Sequence, residues 1–215
     1  MGEAEIITTR QLLLIRSVIY FYGKAAGEML SQSVAKDIED HWNEPAATVY
    51  IQHVPYEVLF DIRGIFSPDL TPSAVYENTD PRNNYFRIES FASGNISFVD
   101  GLGSNTGYFK LDNLVNHSTT AAHEYGHTLG LDHPRKLDIR GQGAPGIMYP
   151  RGTLVDPEYQ YDPAIPAGQT GGTLNPYTRR VFQSDIDQLN LHRLSFNSGH
   201  KAKVGDFSSI WHEAH

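Results

Sequence analysis

Residues 123–133 read His-Glu-Tyr-Gly-His-Thr-Leu-Gly-Leu-Asp-His. Just before them, Ser118-Thr-Thr-Ala-Ala122 supplies a capping hydroxyl and small helix-tolerant residues, which predicts a helix starting near Ser118. On a helix, positions four apart stack on one face, so His123 and His127 present two imidazoles side by side. Glu124 follows the first histidine, and its carboxylate can reach a metal-bound water without itself being a ligand. Two neutral imidazoles, a third ligand and a water make the open tetrahedral site of a catalytic zinc.

Gly130 falls three residues after His127. Glycine tolerates positive φ, so it can end the helix and turn the chain, letting His133 swing back to the same metal. The full pattern is H-E-x-x-H-x-x-G-x-x-H, a zinc-site motif. The chain has ten histidines, so some clustering is expected by chance. Five matches in register are not explained that way.

Downstream, Gly146-Ile-Met-Tyr-Pro150 forms a turn bounded by glycine and proline, with Met148 inside it. Taken alone, Met148 also reads as core filler. Together, the long histidine motif and the methionine turn resemble the metzincin clan of zinc endopeptidases. The segment His123 to Pro134 is most similar to the serralysin and matrixin branches. The motifs that carry the resemblance cover about residues 118–150.

The resemblance implies an α+β, metzincin-like (zincin) catalytic domain. That fold has a twisted mixed sheet with two long helices in an upper lobe, and an irregular lower lobe ending in a helix. It implies a zinc endopeptidase in which His123, His127 and His133 bind Zn2+ and Glu124 is the catalytic base. Gly130 and Met148 support the site, Met148 as a packed floor beneath the imidazoles. The strand before the helix, at 107–111, becomes the sheet edge that pairs with extended substrate. The glycine-aspartate calcium repeats that follow serralysin catalytic domains are absent. The tyrosine that approaches zinc in serralysins and astacins lies two residues after the turn methionine, whereas Tyr149 lies one after Met148, so that role is not carried over. The stretch from Gly146 to Pro157 and the Asn175-Pro-Tyr177 stretch also resemble metallopeptidase toxin domains of bacterial polymorphic toxins. That alternative adds a cognate inhibitor protein as partner.

At 215 residues the chain is expected to be one domain. Its upper lobe spans about 1–133, its lower lobe about 134–195 and a polar tail 196–215. A net charge of −8 disfavours binding to nucleic acid or anionic membrane and mildly favours basic substrates. With no cysteine, thiolate chemistry and disulfides are excluded. A secreted or extracellular, bacterial, monomeric protein acting on protein or peptide is expected. Gln11-Leu-Leu-Leu-Ile15 is no convincing signal peptide, because Arg16 breaks the run and Glu3 and Glu5 precede it.

Elsewhere, β-branched and aromatic residues predict a strand over 11–22. Ala26, Leu30, Val34, Ile38 and Trp42 recur every four residues and predict a core-facing helix over about 26–42, with Met29 alongside. Strands follow at 47–53 and 56–66, parted near Pro55, with His53 on the sheet surface. A loop covers 67–84, and short strands are expected at 85–90, 95–99 and 107–111. Residues 100–107 (Asp-Gly-Leu-Gly-Ser-Asn-Thr-Gly) read either as a plain turn or as an oxygen-lined Ca2+ loop. The Pro- and Gly-rich segment 134–180 holds Tyr159, Tyr161 and Tyr177, which are either substrate contacts or surface packing. A capped helix is expected at 184–191. The tail, with His200, His212 and His215, is expected to be flexible or lightly docked.

Overall fold

The structure, a computed structural model, describes residues 1–115 and 118–213. His215 lies outside the described residues. The architecture is α+β: one eight-stranded mixed sheet and four helices among the described residues.

Strand β2 (Leu12–Tyr22) is the axis of the sheet. Its first four residues are all buried, without alternation, as expected for a strand covered on both faces. β4 (Val54–Phe66) runs parallel along one edge of β2. On the other edge, β1 (Gly2–Ile7) pairs antiparallel with the first half of β2. β5 (Asn83–Glu89) pairs parallel with the second half. β3 (Thr48–Ile51) folds back on β4 through Gln52 and His53, whose φ angles are 49° and 68°. Two consecutive positive φ values are the geometry that suits a tight hairpin. His53 is therefore a turn residue, and Pro55 lies inside β4 opposite Tyr50 rather than between two strands.

Helix α1 (Glu28–Asn43) buries Val34, Ile38 and Trp42, as the four-residue period predicts, with Ala35 beside them; Leu30 is partly buried and Ala26 precedes the helix. Met29 is the exception: it is 84% exposed, because it lies off that stripe. Asn43 fastens the helix end to β4 by accepting from the Phe60 N–H and donating to the Phe60 carbonyl. The 67–84 loop contains the short helix α2 (Pro72–Tyr76). No helix among the described residues is long and apolar enough to cross a membrane.

The predicted edge strand is corrected. β7 (Thr106–Lys110) is interior, parallel to β5 on one side and antiparallel to β6 (Phe98–Val99) on the other. The sheet ends at β6 on this side. The strand expected at 95–99 is present as β6, and the resemblance, which made 107–111 the edge, left its pairing outside β7 unread.

Helix α3 (Thr120–Thr128) carries the histidine motif. It begins two residues after Ser118, whose Oγ accepts the Thr120 N–H. At nine residues it is shorter than the second long helix expected, since Gly130 stops it. α3 packs against both α1 and the sheet. Trp42 Nε1 donates to the Ala122 carbonyl at 3.0 Å, and the Tyr125 hydroxyl lies 2.7 Å from Ser17 Oγ on β2. The rings of Trp42, Phe60 and Tyr125 pack together at 5.2–6.3 Å.

After His133 the chain is irregular until α4 (Gln183–Gln188). A small core of Ile139, Val155 and Leu174, flanked by Tyr149 and Tyr159, organises this stretch. Of the two expectations for the tail, docking holds, and it is more extensive than the light docking expected. β8 (Lys201–Val204) adds an outer strand to β1, with Glu3 opposite Lys203 and Glu5 opposite Lys201. Trp211 stacks on Tyr22 with ring centres 4.5 Å apart, and Arg87 donates to the His212 carbonyl at 3.0 Å. His200 has positive φ in the turn before β8.

Candidate metal centre

The helical period puts His123 and His127 on one face of α3, and the turn after it brings in the third imidazole. Gly130 has φ of 99°, while a Cβ built there would meet no atom within 4 Å. Backbone conformation, not space, is what requires glycine at this position. Gly130 N–H closes on the His127 carbonyl at 3.0 Å and Leu131 N–H on the Gly126 carbonyl at 3.0 Å. The chain thereby reverses and His133 faces the helix.

Two ring orientations are set by backbone carbonyls. His123 Nδ1 donates to the Ile147 carbonyl, and His127 Nδ1 donates to the Leu131 carbonyl, both at 2.7 Å. Each bond fixes the tautomer and leaves a bare lone pair at Nε2, aimed inward. His133 Nε2 sits 3.0 Å from that of His123 and 3.1 Å from that of His127. His133 can donate one proton to one of them at most, so at least one pair of lone pairs faces without a proton between. A cation relieves that repulsion. Tetrahedral zinc with Zn–N of about 2.0–2.1 Å holds its ligand nitrogens roughly 3.3 Å apart, close to what is present.

Burial lowers the basicity of all three histidines, His123 most strongly. They are therefore neutral donors, the form a metal needs. These residues could hold a metal ion, and among the described residues they are the one group of three or more His, Cys, Asp or Glu side chains arranged to do so. In the 100–107 loop, Asp100 is already engaged, accepting from Thr106 Oγ1 and from His212 Nε2 at 2.9 Å. These bonds tie the loop to the tail.

Glu124 is buried and shares a cavity of about 340 Å³ with His123 and His133. Desolvation pushes its carboxyl up to about 8, against the pull of the Arg179 and Arg151 guanidiniums. A divalent cation beside it favours the ionised form.

The turn at 146–150 supports the helix from below. Met148 is 2% exposed, and a Cβ added to Gly126 would lie 2.4 Å from its sulfur. Gly126 thus lets the thioether pack directly on the helix backbone between the two histidines. Spacing alone did not single out Gly126. Nor did it reveal the Ile147 carbonyl, since every residue has one. Tyr149 packs in the 139–174 core instead of lining the cavity. Tyr159, Tyr161 and Tyr177 also lie off the cavity wall, which is built from Pro150, Arg151, Gly152 and Arg179 on that side. Sequence reading missed both arginines, because an arginine in a proline-rich loop has no distinguishing pattern.

No protein-family model matches the chain. No curated protein sequence matches it either. Among solved structures, one titled "Structure of myroilysin" aligns with 90% of this chain and 100% of that chain, at 12% sequence identity and a TM-score of 0.41. A likeness that slight supports neither fold nor activity, which rest on the residues themselves.

Proposed function

We propose that the chain is a zinc-dependent endopeptidase of metzincin type. The observation that carries this reading is the convergence of three neutral imidazole Nε2 atoms beside a cavity that His123 and His133 line together with a buried carboxylate. Zinc held there supplies Lewis acidity, polarising a carbonyl and making water more acidic. His123, His127 and His133 stay neutral throughout. Glu124 takes a proton from the attacking water at its carboxylate and returns it to the departing amine. Burial keeps that carboxylate basic enough for the transfer, against the pull of the Arg179 guanidinium.

A peptide is the favoured substrate because Ile96 and Ser97, just before edge strand β6, form one wall of the cavity. An extended chain can pair with such an edge while one bond lies over the imidazoles. Glu124→Gln tests the reading: it keeps size and shape and removes the basicity. Peptide cleavage and zinc content are measured on one purified sample. Zinc should be retained while hydrolysis falls by about 10²–10⁴-fold. Full cleavage with full zinc would remove Glu124 as the base.

A further inference from the structure

The cavity beside the triad contains two positive charges that hydrolysis itself does not use. Arg179 is 4% exposed. Its Nε donates to Thr119 Oγ1 at 2.9 Å and its Nη1 to the Tyr149 carbonyl at 3.1 Å. Those bonds tie the start of α3 to the turn after Met148, and a purely structural clamp needs nothing more. Nη2, however, has no hydrogen-bond partner among the described residues and is not sealed in the core. Arg151 stands at the exposed rim of the same cavity, with Nη2 on Asn113 Oδ1 at 3.0 Å.

Burying a guanidinium without a paired carboxylate is costly. The carboxylate available within the cavity is that of Glu124, already assigned to proton transfer. Burial and the neighbouring Arg151 charge push Arg179 down to about 10, against the pull of Glu124. An anion between the two guanidiniums would remove both penalties. The chain as a whole carries −8, so this basic cavity is a local feature and not a reflection of composition. Its two guanidiniums make charge a property by which the cavity can select a substrate group.

We propose that Arg179 and Arg151 bind a carboxylate of the peptide substrate, so that the cleaved bond lies beside an acidic residue or beside the C-terminal carboxylate. The proposal rests on the peptidase reading. Planar guanidiniums suit a carboxylate because two parallel N–H donors match its two oxygens.

The test has a cleavage arm and a binding arm. In the first, the zinc-loaded protein digests a denatured proteome and the new termini are sequenced. Asp or Glu should be enriched at one fixed position flanking the cut, or cuts should cluster beside C-termini. Synthetic peptides differing only by Glu against Gln at that position, each as free acid and as amide, should differ about 10- to 100-fold in cleavage and identify the source of the carboxylate. Arg151→Glu, at the exposed rim, should shrink that ratio at least about tenfold within the same protein. In the second arm, chelator-treated protein is titrated with fluorescently labelled Ala-Glu-Ala and Ala-Gln-Ala, as acids and amides, and anisotropy reads binding without catalysis. The carboxylate forms should bind more tightly, and the difference should fall in Arg151→Glu. Cleavage without acidic preference, or a ratio unchanged in Arg151→Glu, would overturn the proposal and leave the peptidase reading standing. No cleavage of any peptide would defeat the peptidase reading. Equal binding of all four probes would then overturn this proposal as well.

Discussion

Helix α3 and the segment from 146 to 180 both hold the candidate metal centre. In α3 the positions of His123 and His127 follow from helical period, and the side chains themselves are the working parts. In the irregular segment the working parts are a backbone carbonyl at Ile147, the packed sulfur of Met148, and Arg179 reaching back to Thr119. The helix supplies two of the three donors; the loop orients His123, and Leu131, just past the helix, orients His127. A donor can be placed by local structure alone, but orienting a ring needs an atom fixed from outside the helix.

If that division holds, damage to the loop side should lower stability before it changes chemistry. The tail offers the largest expected effect. Ending the chain at Ser195 removes β8, with buried Val204, and the Trp211–Tyr22 stack. The sheet behind the helix should lose on the order of 3–6 kcal/mol, by denaturant unfolding. An unchanged midpoint would mean that the tail is not docked.

Met148→Ala comes next, with about 2–5 kcal/mol of destabilisation expected from deleting a buried methionine side chain. Pairing it with Gly126→Ala sharpens the comparison. Gly126→Ala alone should destabilise, because its Cβ meets the Met148 sulfur at 2.4 Å. In the double variant the new methyl enters the vacated space, so the two losses should sum to more than the double loss. Simple additivity would show that helix and turn are not in contact. A fully stable but inactive Met148→Ala would give the sulfur a direct chemical role.

Asp185 carries the smallest expected effect. Its carboxyl accepts from the Phe182 and Ile147 N–H groups, bracing the same turn, and burial pushes it up to about 6 from an ordinary value of 3.8. The folded value lies above the unfolded one, so the unfolded chain ionises first as pH rises. Stability from this group is greatest below about pH 4, falls between about pH 4 and 6, and is flat above. The loss is at most about 3 kcal/mol. Comparing the pH slopes of wild type and Asp185→Asn isolates it. Parallel slopes would mean that folding does not shift the Asp185 carboxyl.

The same division explains what was legible in the sequence. Spacing revealed the three histidines, the turn at Gly130 and the core face of α1, because side-chain period and glycine geometry are local. The loop's share was not legible, since a carbonyl has no sequence identity and Arg179 acts through contacts made 60 residues away. The strand at 95–99 was legible, but not that it pairs outside β7 and forms the sheet edge. The tail did carry a signal. Glu3-Ala-Glu-Ile6 and Lys201-Ala-Lys-Val204 alternate charged and apolar residues with opposite signs, and the strands pair in that register. Lys201 Nζ reaches Glu3 Oε1 at 2.9 Å. Polarity alone made the C-terminal stretch look like a free end.

The central claim is that the three imidazoles form one metal site. Metal-free protein titrated with zinc by calorimetry, beside His133→Ala under the same conditions, tests it most directly. The account predicts one zinc per chain in the wild type, with affinity strongly reduced in His133→Ala. Equal affinity in the two proteins, or no zinc bound by the wild type, would contradict it.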